Sequence, residues 1–253
     1  MSFKDHFSRL AAQYSAFRPT YPEALFDYLA GLRAMRESVW DCACGSGQAS
    51  VALAGRFHSV VATDASASQI QSATPHPNVV YRVAPAENSG LDAASVDLVT
   101  VAQALHWLDL DAFYKEVRRV LRAEGVIAVW TYGGLHVEGE ELDKLTRDFY
   151  CNIVGPYWPP ERRLVEDGYR QLAFPFEELT PPAFAMHVQW NRPQLLGYMR
   201  TWSATARYVD KTGLDPVVEL EERLDPLWKD SDSLRRVTWP LSLRVGRMAA
   251  RGV

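Results

Sequence analysis

The most constraining feature of this sequence is an alternation, repeated five times before residue 132, between short apolar runs and segments with helical spacing. The apolar runs are 38–42, 58–63, 78–83, 95–102 and 126–131. Helices are predicted over 22–33 and near 47–56, 66–73 and 110–122. Short runs that are apolar throughout are typical of strands buried on both faces of a parallel sheet. The pattern predicts a doubly wound α/β fold, whose ligands bind at the carboxyl ends of the strands.

Beyond residue 132 the rhythm changes. Residues 135–178 and 192–234 are predicted to be mostly helical, whereas 183–190 and 239–245 alternate apolar and polar residues as strands do. We therefore expect a Rossmann-like, seven-stranded sheet that is mostly parallel, with an antiparallel last strand and a helical lid. The predicted organisation is a single domain, 1–253, with its core in 35–134, 180–191 and 237–248 and a substrate lid in roughly 135–179 and 192–235.

Composition and charge narrow the class of partner. A formal net charge of −4 argues against a nucleic-acid-binding protein, so we expect a small-molecule partner. Three cysteines do not indicate a disulfide framework, and Cys42-x-Cys44 without clustered histidines does not indicate a metal site. The N-terminus lacks the apolar core of a signal peptide, and no apolar run approaches the roughly 20 residues of a membrane span. The expectation is a cytoplasmic protein without a metal or a membrane partner.

The turn after the first predicted strand carries the main functional signal. Its residues 41–47 read Asp-Cys-Ala-Cys-Gly-Ser-Gly. Gly45 and Gly47 allow backbone dihedrals that other residues avoid, and they let a ligand come close. A helix predicted to begin near Ser46 directs free N–H groups and a partial positive charge at the same place. The turn predicts a pocket for a small ligand with anionic or hydroxyl groups, the alternative being an ordinary strand-to-helix turn.

Asp64 ends the second predicted strand, 17 residues after Gly47. An acid there can accept hydrogen bonds from both ribose hydroxyls of an adenosine group, or it can cap the following helix. NAD and S-adenosylmethionine (SAM) both contain adenosine. The dinucleotide fingerprint requires glycine at its sixth position, which, counted from Gly45, is Ser50. Ser50 therefore disfavours NAD, and Asp41 before the turn suits the ammonium group of SAM.

Five segments, in order, resemble the motifs of the class I SAM-dependent methyltransferases. They are Asp41-x-Ala43-x-Gly45-x-Gly47, Asp64, Ala86-Glu87, Val96–Val99 with Gln103–Trp107, and Leu121–Val126. The resemblance covers roughly residues 10–132, and it implies SAM as the cofactor and S-adenosylhomocysteine as the product. Tyr14, Arg18, Tyr21-Pro22, His106-Trp107 and the run 201–203 more narrowly resemble the branch that contains trans-aconitate methyltransferases.

The chain departs from the family pattern at two places. Ala43 stands where the first motif usually has glycine, which brings a methyl group close to the methionine part of SAM. Residues 123–125, Ala-Glu-Gly, stand where Pro-Gly-Gly is usual before the fifth strand. The first departure could weaken or reshape cofactor binding, whereas the second is expected to be harmless.

The resemblance also implies cofactor roles for individual residues. They are Tyr14, Arg18, Asp41, Ala43, Gly45, Gly47, Asp64, Gln69, Ala86, Glu87 and Gln103. Asp41 would accept from the amino group of SAM or order a water, and Asp64 would hold the ribose. Arg18 would hold the SAM carboxylate with two parallel hydrogen bonds. Glu87 would accept from the adenine amine, with a plain surface position as the alternative.

The acceptor side is predicted from the residues after the fourth strand and in the lid. His106 is the candidate general base, needed only if the acceptor is a phenol or a carbon acid, and its alternative is a structural histidine. Trp107 would wall the pocket, because an aromatic face attracts a cation by about 0.5–2 kcal/mol. The predicted substrate residues are Trp107, Tyr132, Trp158, Arg200 and Trp202.

The predicted function is transfer of a methyl group from SAM to a small molecule, with a carboxylic acid as one candidate acceptor. A nicotinamide-dependent oxidoreductase is the first alternative, which Ser50 disfavours. A non-catalytic SAM-binding protein is the second, for which Ala43 is a hint.

Overall fold

The structure, a computed structural model, describes residues 19–248, and these fall into two compact units. The sheet unit consists of residues 21–132, 163–184 and 241–248. The helical unit consists of residues 133–162 and 185–240, with residues 19–20. Tyr14 and Arg18 lie outside the described residues, so their roles stay predictions.

The strands within residues 19–248 are β1 (Ser38–Cys42), β2 (Ser59–Asp64), β3 (Val79–Val83), β4 (Val96–Ala102), β5 (Leu121–Thr131), β6 (His136–Val137), β7 (Glu177–Leu179), β8 (Phe184–Trp190) and β9 (Arg235–Arg247). The α-helices there are α1 (Glu23–Gly31), α2 (Gln48–Ala54), α3 (Ala67–Gln71), α4 (Leu110–Val120), α5 (Glu140–Asp148), α6 (Arg162–Glu166), α7 (Arg192–Arg200), α8 (Ser203–Thr212) and α9 (Pro216–Leu224). Short 3-10 turns span Leu105–Trp107 and Gly155–Tyr157, and a π-helix spans Phe149–Ile153. The first four strands agree with their predicted bounds to within one residue.

The sheet unit is built on five parallel strands in the order β3-β2-β1-β4-β5. The end of β9 runs antiparallel to β5, from the pair Val126 and Arg247 to the pair Thr131 and Ser242. The predicted Rossmann-like sheet, mostly parallel with an antiparallel last strand, is confirmed. With the two short strands β6 and β7, the described part of the chain contains nine strands. Because β1, β2 and β4 are parallel, their carboxyl ends lie at the same edge of the sheet.

The step from α4 into β5 differs from the prediction. The helix ends at Val120 rather than near 122, and β5 follows at once at Leu121 rather than at 126. Glu124 has a φ of 58°, and a Cβ on Gly125 would lie 2.8 Å from the carbonyl oxygen of Arg122. Glycine is required there by an irregular stretch of β5, where the register against β4 shifts.

Residues 163–184, most of which were predicted to lie in the lid, belong to the sheet unit. Val165 and Tyr169 are buried in the same apolar core as Trp40 of β1 and Phe113 of α4. Helix in this segment ends at Glu166, after which the chain forms turns and β7, so the prediction that residues 135–178 are mostly helical is wrong for this part. Burial of these side chains, rather than helical spacing, decides where the segment packs.

The helical unit is organised around aromatic side chains. The rings of Trp190, Tyr198 and Trp239 pack with centroids 5.2–5.4 Å apart, and Trp202 lies 5.8 Å from Tyr198. Packing of this kind adds about 0.5–1.5 kcal/mol per ring pair beyond the apolar area buried. Within residues 19–248 no helix combines the length and the apolar character that crossing a membrane requires.

Candidate active site

The turn between β1 and α2 has an unusual backbone. Ala43, Gly45 and Gly47 all lie in the left-handed region, at φ 53°, 56° and 84°. The N–H of Cys44 donates to the carbonyl of Thr63 in β2 at 3.0 Å, which ties the turn to the neighbouring strand. Helix α2 begins at Gln48, within two residues of its predicted start, with Gly47 as its N-cap residue. The shape of the turn is therefore fixed by backbone dihedrals and a backbone hydrogen bond.

Gly47 makes room for a side chain of the protein itself. A Cβ at this position would lie 2.1 Å from the hydroxyl oxygen of Tyr81 and 2.8 Å from its ring carbon Cζ. The Tyr81 hydroxyl donates to the carbonyl of Thr74 at 2.8 Å, and burial raises its pKa to about 12. At Gly45, by contrast, the nearest atom to such a Cβ is Oε1 of Gln69, at 3.6 Å. The close approach of a ligand that was predicted for both glycines is therefore expected at Gly45.

Asp64 joins the end of β2 to the turn. Its Oδ2 accepts from the N–H of Gly45 at 2.9 Å, and its Oδ1 accepts from the N–H of Ser66 at 2.8 Å. Ser66, whose Oγ accepts from the N–H of Gln69, is the N-cap of α3, so the helix-cap alternative for Asp64 is wrong. Each carboxylate oxygen has more than one acceptor position. Asp64 can therefore hold the turn and accept from two ligand hydroxyls together.

Asp41 lies beneath the turn with no exposed surface. The Ser50 hydroxyl donates to its Oδ2 at 2.5 Å, and the Thr100 hydroxyl donates to its Oδ1 at 2.8 Å. Burial outweighs these hydrogen bonds and raises the pKa of Asp41 from 3.8 to about 6. In the described part of the chain no Lys or Arg forms an ion pair with it. Asp41 therefore lies behind the turn as a buried acid, and its predicted roles, accepting from the amino group of SAM or ordering a water, stay predictions.

The remaining predicted cofactor residues lie after β3 and β4. Ala86 is buried in the core, and Glu87 beside it is exposed. Gln103, at φ 59°, donates from its side-chain nitrogen to the carbonyl of Tyr132 at 3.0 Å and accepts from the Thr131 hydroxyl at 2.5 Å. The end of β5 therefore fixes the Gln103 amide, and Tyr132 itself is buried.

His106 and Trp107 lie in the 3-10 turn that follows β4, and Trp107 is 50% exposed. Nδ1 of His106 lies 2.8 Å from the hydroxyl oxygen of Tyr169, and the direction of this hydrogen bond depends on the histidine tautomer. The His106 ring is flanked by Trp107, at 4.6 Å between centroids, and by Tyr169, at 5.7 Å. Sequence reasoning missed Tyr169, for which the only local signal was the Asp-Gly turn at 167–168.

Backbone strain is concentrated around this edge of the sheet. Ala43, Gln103 and Tyr169, none of them glycine, have φ values of 53°, 59° and 63°. The left-handed region costs such residues roughly 1–2 kcal/mol each, and strain of this kind clusters at functional sites. Ala94 and Glu124 have similar φ values, but they lie near the amino ends of β4 and β5. Strain therefore marks the carboxyl edge as the functional one only together with the acids and the histidine found there.

Replacing Ala43 by glycine is expected to stabilise the protein by up to about 1 kcal/mol. The left-handed strain is relieved, and the greater freedom of glycine in the unfolded chain cancels part of the gain. Removing the methyl group is also expected to tighten SAM binding. The measurements are urea unfolding and titration calorimetry. Ala94→Gly, at φ 50° but before β4, is the matched control: it should raise stability similarly and leave SAM affinity unchanged. Equal changes in affinity in the two variants would contradict a role for Ala43 at the cofactor.

Two predicted acceptor residues lie together in the helical unit. Trp158 and Trp202 are 5.8 Å apart between centroids, and the Tyr150 ring contacts both, at 5.2 and 5.5 Å. Arg200 is engaged elsewhere, because its Nε donates to Asp215 at 2.9 Å. Trp158 and Trp202 therefore form one aromatic cluster, and Arg200 is not part of it.

The carboxyl edge fits the chemistry of SAM. Asp64 offers acceptors for two hydroxyls, Gly45 leaves space at the turn, and the buried charge of Asp41 favours a cationic group nearby.

Burial also raises the pKa of Cys42 well above its usual value and raises that of Cys44. Both thiols stay protonated at neutral pH and are therefore poor nucleophiles.

Comparison with known proteins gives a consistent result. The family described as "Methyltransferase domain" matches residues 40–129. A protein of Dictyostelium discoideum that carries a methyltransferase name is 34% identical over 233 residues, which are 91% of this chain and 89% of that protein. A solved structure of a protein from Anaeromyxobacter dehalogenans, named as a type II methyltransferase, has a TM-score of 0.89 and 45% identity, and the match covers 93% of this chain and 100% of that one. A malonyl-[acyl-carrier protein] O-methyltransferase from Methylovorus sp. is 30% identical over 143 residues, which are 50% of this chain and 48% of that enzyme.

Proposed function

Because the chain belongs to the class I SAM-dependent methyltransferases, we propose that it methylates an oxygen of a small-molecule carboxylic acid. Bound SAM supplies an electrophilic methyl group on a positively charged sulfur. Because the family is that of the methyltransferases, we discard the two alternatives, a nicotinamide-dependent oxidoreductase and a non-catalytic SAM-binding protein. The narrower assignment to the trans-aconitate methyltransferase branch stays a prediction.

We propose that the residues of the turn and its neighbours each interact with a different part of SAM. Asp64 holds the ribose, Gly45 faces the methionine part, and Gln69, which lies near Gly45, packs beside the ribose. Glu87, exposed after β3, accepts from the adenine amine. Asp41 acts through its charge from beneath the turn rather than by contact, since its side chain has no exposed surface.

The observation that carries the choice of acceptor is the hydrogen bond between Nδ1 of His106 and the hydroxyl of Tyr169. A general base would have to take a proton from a phenol or a carbon acid. With Nδ1 bonded to a buried phenol, that role in His106 falls to Nε2 alone, and only the tautomer that leaves Nε2 unprotonated could serve. Cys42, Cys44 and Tyr81, the other weak acids near this edge, have raised pKa values and are protonated at neutral pH. A carboxylic acid with an ordinary pKa near 4 is already ionised at neutral pH and requires no base.

The relative from Methylovorus supports the same choice, because its name describes O-methylation of a malonyl group, which carries a free carboxylate. For the helical unit, we keep the predicted role of a substrate lid. Its aromatic cluster of Tyr150, Trp158 and Trp202 is the part of that unit best suited to pack against an acceptor. Arg200, paired with Asp215, is the weakest of the predicted acceptor residues.

Incubation with SAM and a panel of carboxylic acids, phenols and amines is expected to yield methyl esters and S-adenosylhomocysteine, identified by mass spectrometry. With a carboxylic acid as acceptor, His106→Ala should lower kcat less than the ~10²–10⁴-fold that loss of a general base costs. Calorimetry with SAM checks that the variant still binds the cofactor. Phenol ethers as the main product, or a drop in kcat of the size of a lost base, would overturn the proposal.

A further inference from the structure

Helix α3, which follows Asp64 at the carboxyl edge, is held in place by hydrogen bonds rather than by a buried face. None of its five residues, Ala67–Gln71, is buried. Just before the helix, Asp64 accepts from the N–H groups of Gly45 and Ser66, at 2.9 and 2.8 Å. Gln69 lies at the turn, because its Oε1 is the atom nearest to a Cβ placed on Gly45, at 3.6 Å. So short a helix without buried side chains depends on polar contacts at its ends for its position.

The end of α3 is fixed by the segment 74–77, Thr-Pro-His-Pro, which we call the strap. Each of its two prolines has a fixed φ and also restricts the residue before it, so the strap has little conformational freedom. Both backbone groups of Thr74 are bonded. Its N–H donates to the carbonyl of Ser46 in the turn at 3.1 Å, and its carbonyl accepts from the Tyr81 hydroxyl at 2.8 Å. The strap therefore connects the end of α3 to the turn and to β3.

Tyr81 confines the turn with both parts of its side chain. Its ring and hydroxyl occupy the space beside the buried Gly47, where any Cβ would overlap them. The same hydroxyl donates to Thr74, whose N–H in turn donates to the carbonyl of Ser46. Two successive residues of the turn are thus held from the β3 side, one by direct packing and one through the strap.

We propose that Tyr81 is a positioning residue for the cofactor, whose hydroxyl keeps the strap, and with it α3 and Gln69, against the turn. The inference rests on the proposed function, in which Gly45 faces the methionine part of SAM and Gln69 packs beside the ribose. Without the hydroxyl, the Thr74 carbonyl loses its donor, and α3, which has no buried face, can move away from the turn. The apparent affinity for a ligand falls with the fraction of molecules that are ready to bind it. Tyr81 therefore raises SAM affinity through the strap rather than by contact with the ligand.

Tyr81→Phe tests this role, because it removes the hydroxyl and keeps the ring beside Gly47. Loss of one hydrogen bond corresponds to a factor of about 5 in an equilibrium constant. We expect the Kd values of SAM and S-adenosylhomocysteine, measured by calorimetry, to rise together by about that factor. The KM for SAM should rise likewise, whereas kcat and the KM of the methyl acceptor, measured at saturating SAM, should not change. A residue that supports only the fold would not separate the two KM values in this way.

Hydrogen exchange of the full-length protein, followed by mass spectrometry, tests the position of α3 directly. Peptides that cover residues 66–74 should exchange faster in Tyr81→Phe than in the wild type, and bound S-adenosylhomocysteine should slow them in both proteins. Tyr114→Phe is the matched control. The Tyr114 hydroxyl also donates to a backbone carbonyl, that of Ala173, at 2.9 Å, and burial raises the pKa of both tyrosines to about 12. This control should change neither SAM affinity nor exchange over 66–74.

Unchanged Kd values in Tyr81→Phe, or equal changes in Tyr81→Phe and Tyr114→Phe, would overturn the inference. So would a wild type in which bound S-adenosylhomocysteine does not slow exchange over 66–74, and this result decides even if the variant does not fold. The panel of acceptors tests the proposed function separately. If Tyr81→Phe loses affinity as expected in an enzyme that methylates only phenols or amines, the positioning role is supported and the proposed acceptor is removed.

Discussion

Replacing Gly47 by alanine is expected to destabilise the protein by about 2–5 kcal/mol and to weaken SAM binding. The left-handed φ of 84° costs an alanine roughly 1–2 kcal/mol. The new Cβ would also lie within 2.9 Å of the Tyr81 hydroxyl oxygen and of two of its ring carbons, and forced overpacking typically costs ~1–3 kcal/mol. Because Tyr81 lies against the turn, moving its ring displaces the backbone at the cofactor site. Urea unfolding measures the first effect and calorimetry with SAM the second.

Gly90→Ala separates the two causes. Gly90 also has a left-handed φ, 70°, but a Cβ there would have nothing within 4 Å. Substituting alanine there should therefore lower the unfolding free energy only through backbone strain, by about 1 kcal/mol, and should leave SAM affinity unchanged. In the double variant Gly47→Ala/Tyr81→Leu, part of the lost stability should return, since the branched leucine side chain is shorter than the tyrosine ring. Equal losses in Gly47→Ala and Gly90→Ala would show that Tyr81 does not confine the turn.

The second large effect is a pH dependence of stability that originates at Asp41. Its pKa is about 6 in the folded protein and 3.8 as the ordinary value, so the folded state binds this proton more tightly than the unfolded state. A raised pKa of this kind gives a stabilisation that is fully present below pH 3.8 and is lost as the pH rises through 6. A shift of about two units corresponds to about 3 kcal/mol, as an order of magnitude.

The measurement is the difference in unfolding free energy between the wild type and Asp41→Asn. Asparagine does not ionise, so this difference should move in favour of the variant by about 2–3 kcal/mol between pH 4 and pH 8. Glu116→Gln is the control of opposite sign. Hydrogen bonds from Arg119 lower the pKa of Glu116 to about 2, so the wild type should lose its advantage as the pH falls below 4.5. A difference for Asp41→Asn that does not vary with pH would mean that the buried carboxylate is not destabilised as inferred.

The buried carboxylate of Asp41, which lowers the stability of the folded protein, lies next to the turn where a cationic ligand would bind. Above pH 6 the ionised Asp41 destabilises the fold, and the same negative charge attracts a positive group at the turn. The dependence of stability on pH and the affinity for SAM are therefore expected to have a common origin. Asp41→Asn should gain stability relative to the wild type between pH 4 and pH 8, and it should bind SAM more weakly.

Most of the sheet could be predicted from the sequence, because strands and helices differ in the spacing of their apolar residues. The first four strands are correct to within one residue, since each is short, apolar and bounded by turn residues. The errors are places where packing outweighs local pattern. Strand β5 begins at Leu121 rather than at 126, and β9 runs over Arg235–Arg247 rather than 239–245, because pairing with neighbouring strands extends both.

The sequence by itself determined the turn at Ala43–Gly47 and the acid at Asp64. In a parallel sheet the ends of successive strands meet at one edge, so positions along the chain are enough to bring these residues together. Only the tertiary structure decided what surrounds them. Ser50 and Thr100 take up both oxygens of Asp41, and Tyr169 reaches His106 from 63 residues away. Such contacts depend on burial and on side-chain geometry between distant segments, and these leave no periodic signal in a sequence.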